Sequence, residues 1–313
     1  MSLDRALELA RPALGVAYPN PTVGAVLIGA HGDVVGEGVT EAYGGRHAEI
    51  VALERAGGRA NGATLYVTME PCAHRGRTPP CVDAIVAAGV TRVVAGGLDP
   101  NPDAAGGLGR LLEAGVQAEL DDRLEARRQN EAWRTWISQG RPFVTYKVAT
   151  TLDGRVTLPG ARWLSGDESR RLVHELRATS DAVAVGMGTV RADAPRLDAR
   201  EVPVARQPRR LAFGRGPLPS GSELELRDGR LADELGLLAA EGVQSLLLEG
   251  GPTLATAFLE AGLVDKLLVF VAPLLSGDGP RFLGDLPTPT QLLHVSTRPS
   301  GSDLLIEAYL REP

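Results

Sequence analysis

Hydrophobic positions along this chain alternate between short β-type runs and helical stripes. Residues 22–29 (TVGAVLIG) and 34–39 (VVGEGV) flank Gly32-Asp33, which predicts two strands around a tight turn. HAEIVALERAG follows, with Ile50 and Leu53 at helical spacing and Gly57 at its end, so a helix is expected there before a strand over 63–69. A second helix opens at Cys81 and stops at Gly89; strand 92–97, a helix over LGRLLEAGV, strand QAEL and a longer helix from Asp121 to about Ser138 complete the first half. After Gln139-Gly140-Arg141-Pro142 the pattern restarts with FVTYKVATTLDG. Helices over 167–179, about 230–241 and 253–262 then alternate with strands over 181–186, 209–213, 245–250 and 266–275. This alternation predicts parallel pairing and two layered α/β domains, residues 1–140 and 141–313, with the Gly-, Pro- and Ser-bearing stretch 214–231 as a surface excursion. No internal repeat is present.

Composition narrows the function classes. With 43% hydrophobic and 23% charged residues in 313, the chain can bury ordinary cores without staples. A net charge of −6 opposes nucleic-acid binding by phosphate neutralisation, which needs a basic face, and favours a small-molecule substrate. No apolar run reaches the roughly 18 residues of a membrane span, and MSLDRALELARPALG lacks the cationic start and small-residue cleavage site of a signal peptide, so a cytoplasmic protein is expected. Two cysteines exclude a disulfide scaffold and suggest free or metal-bound thiolates.

The chemistry concentrates in His47-Ala48-Glu49, Pro71-Cys72 and Cys81. One imidazole and two thiolates suit zinc; three protein ligands leave the fourth tetrahedral position for a water whose pKa falls towards about 7. Glu49 is placed to accept that water's proton and deliver it to a ring nitrogen and to departing ammonia. The arrangement follows the His-x-Glu and Pro-Cys…Cys pattern of zinc deaminases that act on amino-substituted bases. His47 and Cys81 each fall at a predicted helix start, where the dipole favours a thiolate. A purely structural zinc site, with His74 as its fourth ligand, is the competing reading.

The loop between the cysteines is long, and TMEPCAHRGRTPPC, with PNPTVGAVL before it and LDPNP after it, resembles the bifunctional deaminase/reductase family of riboflavin biosynthesis. FVTYKVATTLDGRV, RWLSG, DAVAVGMGTVRAD, QPRR and LLLEGGPTL continue that resemblance through the second half. It implies a cytidine-deaminase-like domain acting on a diaminopyrimidinone that carries a 5-phosphoribosylamino group, then a dihydrofolate-reductase-like domain that uses NADPH to reduce the ribosyl side chain to ribityl. It further implies a homo-oligomer, dimer or tetramer. By motif position, Asn20 meets the pyrimidine, His74 and Arg77 meet the phosphoribosyl part, and Asn101 lies close by.

In the second half, Glu249-Gly250-Gly251 sits between a strand and a helix, where glycines let a phosphate approach the helix N-terminus. The resemblance places Gly250 and Gly251, with Thr151, Asp153, Gly186 and Thr189, at the cofactor, and Glu249, Lys147, Ser165, Arg177, Leu197 and Arg200 at the substrate, the two arginines on its phosphate. Asp193 becomes the proton donor or orienter for a reduction that puts hydride on carbon and a proton on nitrogen. Several positions depart from the family pattern: Arg77 stands for Lys, Thr40 for His, Ala161 for Ser, Ala194 for the second Asp of a pair, and Phe213-Gly214 where an Asp is usual. Two alternatives therefore stand beside the bifunctional enzyme. One is a deaminase whose degenerate reductase-like domain positions substrate or builds the oligomer; the other is an RNA-binding module that retains a zinc fold, which the acidic composition opposes.

Overall fold

The computed structural model describes residues 2–76, 79–161 and 163–313. The chain divides into two units, one running to Gln139 and the other from Gly140 to Glu312, each an α/β domain with its own sheet.

The first unit contains, in order, α1 (Ser2–Ala10), β1 (Gly24–Ile28), β2 (Val34–Val39), α2 (Ala48–Ala56), β3 (Thr64–Val67), α3 (Cys81–Ala87), β4 (Arg92–Ala95), α4 (Gly107–Glu113), β5 (Gln117–Leu120), α5 (Leu124–Gln129) and α6 (Glu131–Gln139). Its sheet runs β2-β1-β3-β4-β5. Only β3, β4 and β5 pair in parallel; β1 is antiparallel to both neighbours. Uniform parallel pairing therefore fails at the N-terminal end, because strands joined by a tight turn can meet only antiparallel. Leu27, Leu65, Val67, Ile85, Val93 and Leu111 form the core between sheet and helices.

Helix α2 lies flush on β2 because two strand positions carry no side chain. A Cβ on Gly38 would collide with the Ala48 carbonyl and one on Gly36 with the Ala52 carbonyl, while Ala48, Ala52 and Ala56 offer only methyl groups to the contact. A close contact of this kind is intolerant of added volume.

The expected helix from Asp121 to Ser138 is two helices, broken at Asn130, whose φ of −121° and ψ of 26° leave the helical region. Its carboxamide accepts from the Thr22 N–H and donates to the Thr22 carbonyl, both at 2.9 Å. A bond across 108 residues overrides the local helical pattern, and short amide side chains compete readily with helix backbone.

The second unit contains β6 (Phe143–Thr151), α7 (Asp167–Thr179), β7 (Ala182–Gly186), α8 (Met187–Asp193), β8 (Arg209–Phe213), β9 (Glu225–Arg227), α9 (Leu231–Ala240), β10 (Ser245–Leu248), α10 (Pro252–Glu260), β11 (Lys266–Ala272), β12 (Leu293–Ser300) and β13 (Asp303–Tyr309). The sheet order is β12-β13-β11-β6-β10-β7-β8-β9, parallel from β11 through β9 and antiparallel at the β11-β13 and β13-β12 pairs. Three features differ from the sequence expectation: α8 follows β7 directly, short β9 lies inside the 214–231 excursion, and the β12–β13 hairpin extends the sheet with an edge strand that is mostly exposed and reads as polar. Tyr146, Leu211, Leu235, Leu246 and Phe258 fill the core, and Phe213 meets Phe258 edge to face at 5.5 Å.

Fully buried Asp265 anchors the start of β6: it accepts from both terminal nitrogens of Arg141 at 2.7 Å and from the Val144 N–H at 2.8 Å, and pairs with Arg311. A buried carboxylate persists only when so completely satisfied.

Gly38→Ala should push α2 off the sheet, cost about 1–3 kcal/mol of stability in the first unit, and lower bound zinc; urea unfolding with metal analysis checks this, and an unchanged metal content would show that the flush contact does not set the site.

Candidate active sites

The N-terminal end of α2 and that of α3 converge on the loop after β3. His47 immediately precedes α2, Cys81 is the first residue of α3, and Cys72 follows β3. The donor atoms of His47, Cys72 and Cys81 all lie within 4.8 Å of one another. His47 Nδ1 is 3.2 Å from Cys81 Sγ and 3.7 Å from Cys72 Sγ. With zinc bonds of about 2.0–2.3 Å, the edges of a tetrahedral site measure about 3.5–3.8 Å, so this triangle fits the metal, and two thiolates with one imidazole select it.

The electrostatics agree. A hydrogen bond with Cys81 holds the Cys72 thiol down to about 4 against its own burial, with His47 adding to the effect, while the same bond and burial push the Cys81 thiol up. The Cys81 N–H also donates to Cys72 Sγ at 3.3 Å. The bond with Cys72 raises the His47 imidazole above its ordinary value. Beside them, Glu49 is almost wholly buried in the first turn of α2, and burial pushes its carboxyl up, opposed by His47.

These groups open into a cleft of about 280 Å³ lined by His47, Glu49, Cys72, Asn20, His74 and Asn101, so the structure unites the sequence candidates of the first half apart from Cys81, which is buried at the metal triangle, and Arg77, which lies outside the described residues. Asn20 and His74 are exposed at the cleft. The Asn101 side-chain oxygen accepts from the Asp103 N–H at 3.2 Å, so that side chain also builds its own turn.

Among the lining residues that the sequence did not single out are Tyr43, Glu70, Asp99 and Trp133. Glu70 ties the site together, its two oxygens accepting from the Asp99 and Leu108 N–H groups at 3.2 and 3.0 Å, and Gly107 lets α4 seat against the Pro71 carbonyl. Burial raises the Asp99 carboxyl to about 6, partly offset by the Asn101 N–H it accepts. A carboxylate directly before Pro71-Cys72 and another opening DPNP were the available signals. Trp133 carries none, since it arrives from α6. Thr40, noted only as a departure, uses its hydroxyl on the Val23 N–H and carbonyl.

In the second unit, Glu249 follows β10 and is gripped by Arg177 from α7 through Nε at 2.6 Å and Nη2 at 2.9 Å, and by Lys147 from β6 at 3.3 Å. Arg177 also donates to the Asp198 carbonyl at 3.1 Å, and Asp198 pairs with Arg200 at 2.7 Å. Lys147, Arg177, Glu249 and the segment holding Leu197 and Arg200 therefore form one connected cluster; Leu197 is buried, with a φ of 55°. Asp193 and Ser165 stand outside these bonds, Asp193 exposed at the end of α8.

Gly186 and Gly251 precede α8 and α10 at the ends of the β7 and β10 strands, which share one sheet edge through parallel pairing. A Cβ on Gly250 would press on the Leu254 side chain at 3.0 Å, whereas one on Gly251 would meet Thr189 at 3.4 Å, an ordinary contact, so the missing side chains leave the backbone at the start of α10 uncrowded. An anionic group of a dinucleotide fits such a place. Asp153, by contrast, accepts from Thr151, Ser276 and Gly277, which holds its carboxyl down to about 2 and commits it to loop structure.

Each half of the chain matches a known family model. Residues 2–97 match the cytidine and deoxycytidylate deaminase zinc-binding region and residues 142–306 match the RibD C-terminal domain. The chain is 41% identical to riboflavin biosynthesis protein RibD of Aquifex aeolicus over 90% of its length and 88% of the relative's. For RibD of Mycobacterium tuberculosis the identity is 43%, covering 88% and 86%. Among solved structures, Acinetobacter baumannii RibD superposes with a TM-score of 0.83 at 34% identity, covering 98% of this chain and 97% of that one. The Thermotoga maritima diaminohydroxyphosphoribosylaminopyrimidine deaminase/5-amino-6-(5-phosphoribosylamino)uracil reductase gives 0.83 at 32% with the same coverage. The chain belongs to the RibD family of riboflavin biosynthesis enzymes, with a zinc-binding deaminase domain followed by a reductase domain.

Proposed function

We propose that residues 1–140 hydrolytically deaminate 2,5-diamino-6-(5-phosphoribosylamino)pyrimidin-4(3H)-one and that residues 141–313 reduce the ribosyl side chain of the product, 5-amino-6-(5-phosphoribosylamino)uracil, to ribityl with NADPH. The observation that carries the first step is the convergence of His47, Cys72, Glu49, Asn20, His74 and Asn101 on one cleft. In this reading His47, Cys72 and Cys81 hold zinc, which when bound supplies a water acidified to about pKa 7. Glu49, its proton affinity raised by burial, would accept the proton of the attacking water as its oxygen joins the amino-bearing carbon and hand it to the ring nitrogen; it would then take the hydroxyl proton of the tetrahedral adduct and give it to the amine, which leaves as ammonia as the carbonyl forms. Asn20 orients the pyrimidine, and His74, Asn101 and Arg77 serve the phosphoribosyl part.

For the second step bound NADPH would be the source of hydride for the imine carbon of the opened ribosylamine, and Asp193, or a water it orients, would give the nitrogen its proton. Gly250, Gly251, Gly186, Thr189, Thr151 and Asp153 form the cofactor side, with Asp153 acting through its loop. Lys147, Arg177, Glu249, Ser165, Leu197 and Arg200 form the substrate side. The intact Lys147–Glu249–Arg177 cluster supports a working reductase over a degenerate partner domain. No helix among the described residues is long and apolar enough to cross a membrane. Cytoplasmic location and a homo-oligomer of two or four chains belong to the same proposal.

Purified protein given the deaminated phosphoribosylaminouracil should oxidise NADPH; no oxidation would leave a deaminase alone. Glu49→Gln should keep stoichiometric zinc yet lose ammonia release by about 10²–10⁴-fold, whereas Cys72→Ser should lose the metal too; wild-type ammonia production by Glu49→Gln sinks the proton-transfer role.

Burial alone would raise the Glu249 carboxyl, but the Lys147 charge and the Arg177 bonds win and hold it down to about 2. A carboxyl depressed on folding stabilises the folded state above its unfolded value of about 4.3, and that contribution disappears as pH falls towards the folded value. The thermal stability of the second unit should therefore fall between about pH 4.3 and 2, and Glu249→Gln should flatten that limb; an identical acid limb in the variant would contradict the ionised pairing.

A further inference from the structure

We infer that Asn130 is a positioning residue for the deaminase cleft, acting through the Asn20–Val23 wall; this rests on the reading that Asn20 contacts the pyrimidine. Asn130 is 6% exposed, does not line the cleft, and interrupts what would otherwise be one helix. Its carboxamide pairs with both backbone groups of Thr22, itself 3% exposed, as a neighbouring strand would. Those buried N–H and C=O groups need partners, and a carboxamide is the short side chain that provides an acceptor and a donor together.

The residues on either side of Thr22 face the cleft: Asn20 and Pro21 before it, Val23 after it. Val23 is held in turn by the Thr40 hydroxyl and backbone, and the Asn20 N–H donates to Ala17. Thr22 is thus the point at which the wall is held by a side chain from 108 residues further along the chain. Three residues beyond Asn130, Trp133 lines the same cleft from α6, so the helix break and the clamp set two lining elements against one another. Placement errors of about 1 Å in such a wall are enough to cost about a hundredfold in rate.

The experiment uses full-length zinc-loaded enzyme with Asn130→Asp, which keeps the acceptor and loses the donor, alongside Asn20→Ala and the double variant. Asn130→Asp should retain stoichiometric zinc and wild-type NADPH oxidation with the deaminated substrate, while KM for deamination rises about tenfold or more and kcat falls less. Because Asn130 acts on the wall that carries Asn20, removing the Asn20 side chain removes most of what it positions, and the double variant should fall well short of the product of the two single effects. Multiplying effects in the double variant, zinc lost in step with activity, or wild-type deamination by Asn130→Asp while Asn20→Ala is impaired each overturns the positioning role. An unchanged KM in Asn20→Ala instead removes the substrate-contact reading beneath it.

Discussion

The flush contact between α2 and β2 is the constraint on which the deaminase site depends. Gly36 and Gly38 remove two side chains from the strand, and Ala48, Ala52 and Ala56 present the smallest face a helix can offer. The helix therefore sits close enough for its first turn to carry His47 to the thiols and to bury Glu49 beside them. Burial has a chemical consequence here: a carboxyl deprived of water holds a proton more readily, which suits the proton transfer proposed for Glu49. The thiol pair behaves in the complementary way, with one sulfur kept as a ready thiolate by the other and by a helix-start N–H.

The second unit organises charge differently. Glu249 and Asp265 are both buried carboxylates, and each is surrounded by cations and donors, but the settings differ in kind. Asp265 binds Arg141, Arg311 and the Val144 N–H at the opposite end of the β6 and β10–β11 framework from Glu249, where it closes the start of β6 against the loop before β11. Glu249 stands at the C-terminal end of β10, the side on which parallel α/β sheets place their ligands. Its partners Arg177 and Lys147 are thereby held in fixed positions, and the Arg177 bond to the Asp198 carbonyl extends that order to the segment holding Leu197 and Arg200.

Much of this was legible in the chain. Short β-rich runs and helical stripes marked nearly every element of the two sheets, since burial on a strand or a helix face imposes its own period. The zinc triangle was legible because its ligand types are chemically restrictive and sit beside helix starts. The strands missed were β9, which is short, β12, an edge strand with mostly exposed positions, and β13, which lies between β12 and β11 and buries Leu305, Ala308 and Tyr309, so that its apolar pattern was available. Glu70 and Asp99 were missed because a carboxylate in a turn looks like any solvated one until burial is known.

By itself, then, the sequence determined the α/β alternation, the metal donor set with its adjacent carboxylate, and the glycines at the start of α10. Tertiary structure alone decided the antiparallel edges of both sheets, the distribution of buried charge around Glu249, and the break at Asn130. The physical reason is range: local periodicity and ligand chemistry act within a turn or two, whereas the bond from Asn130 to Thr22 spans 108 residues and exists only once the chain has folded.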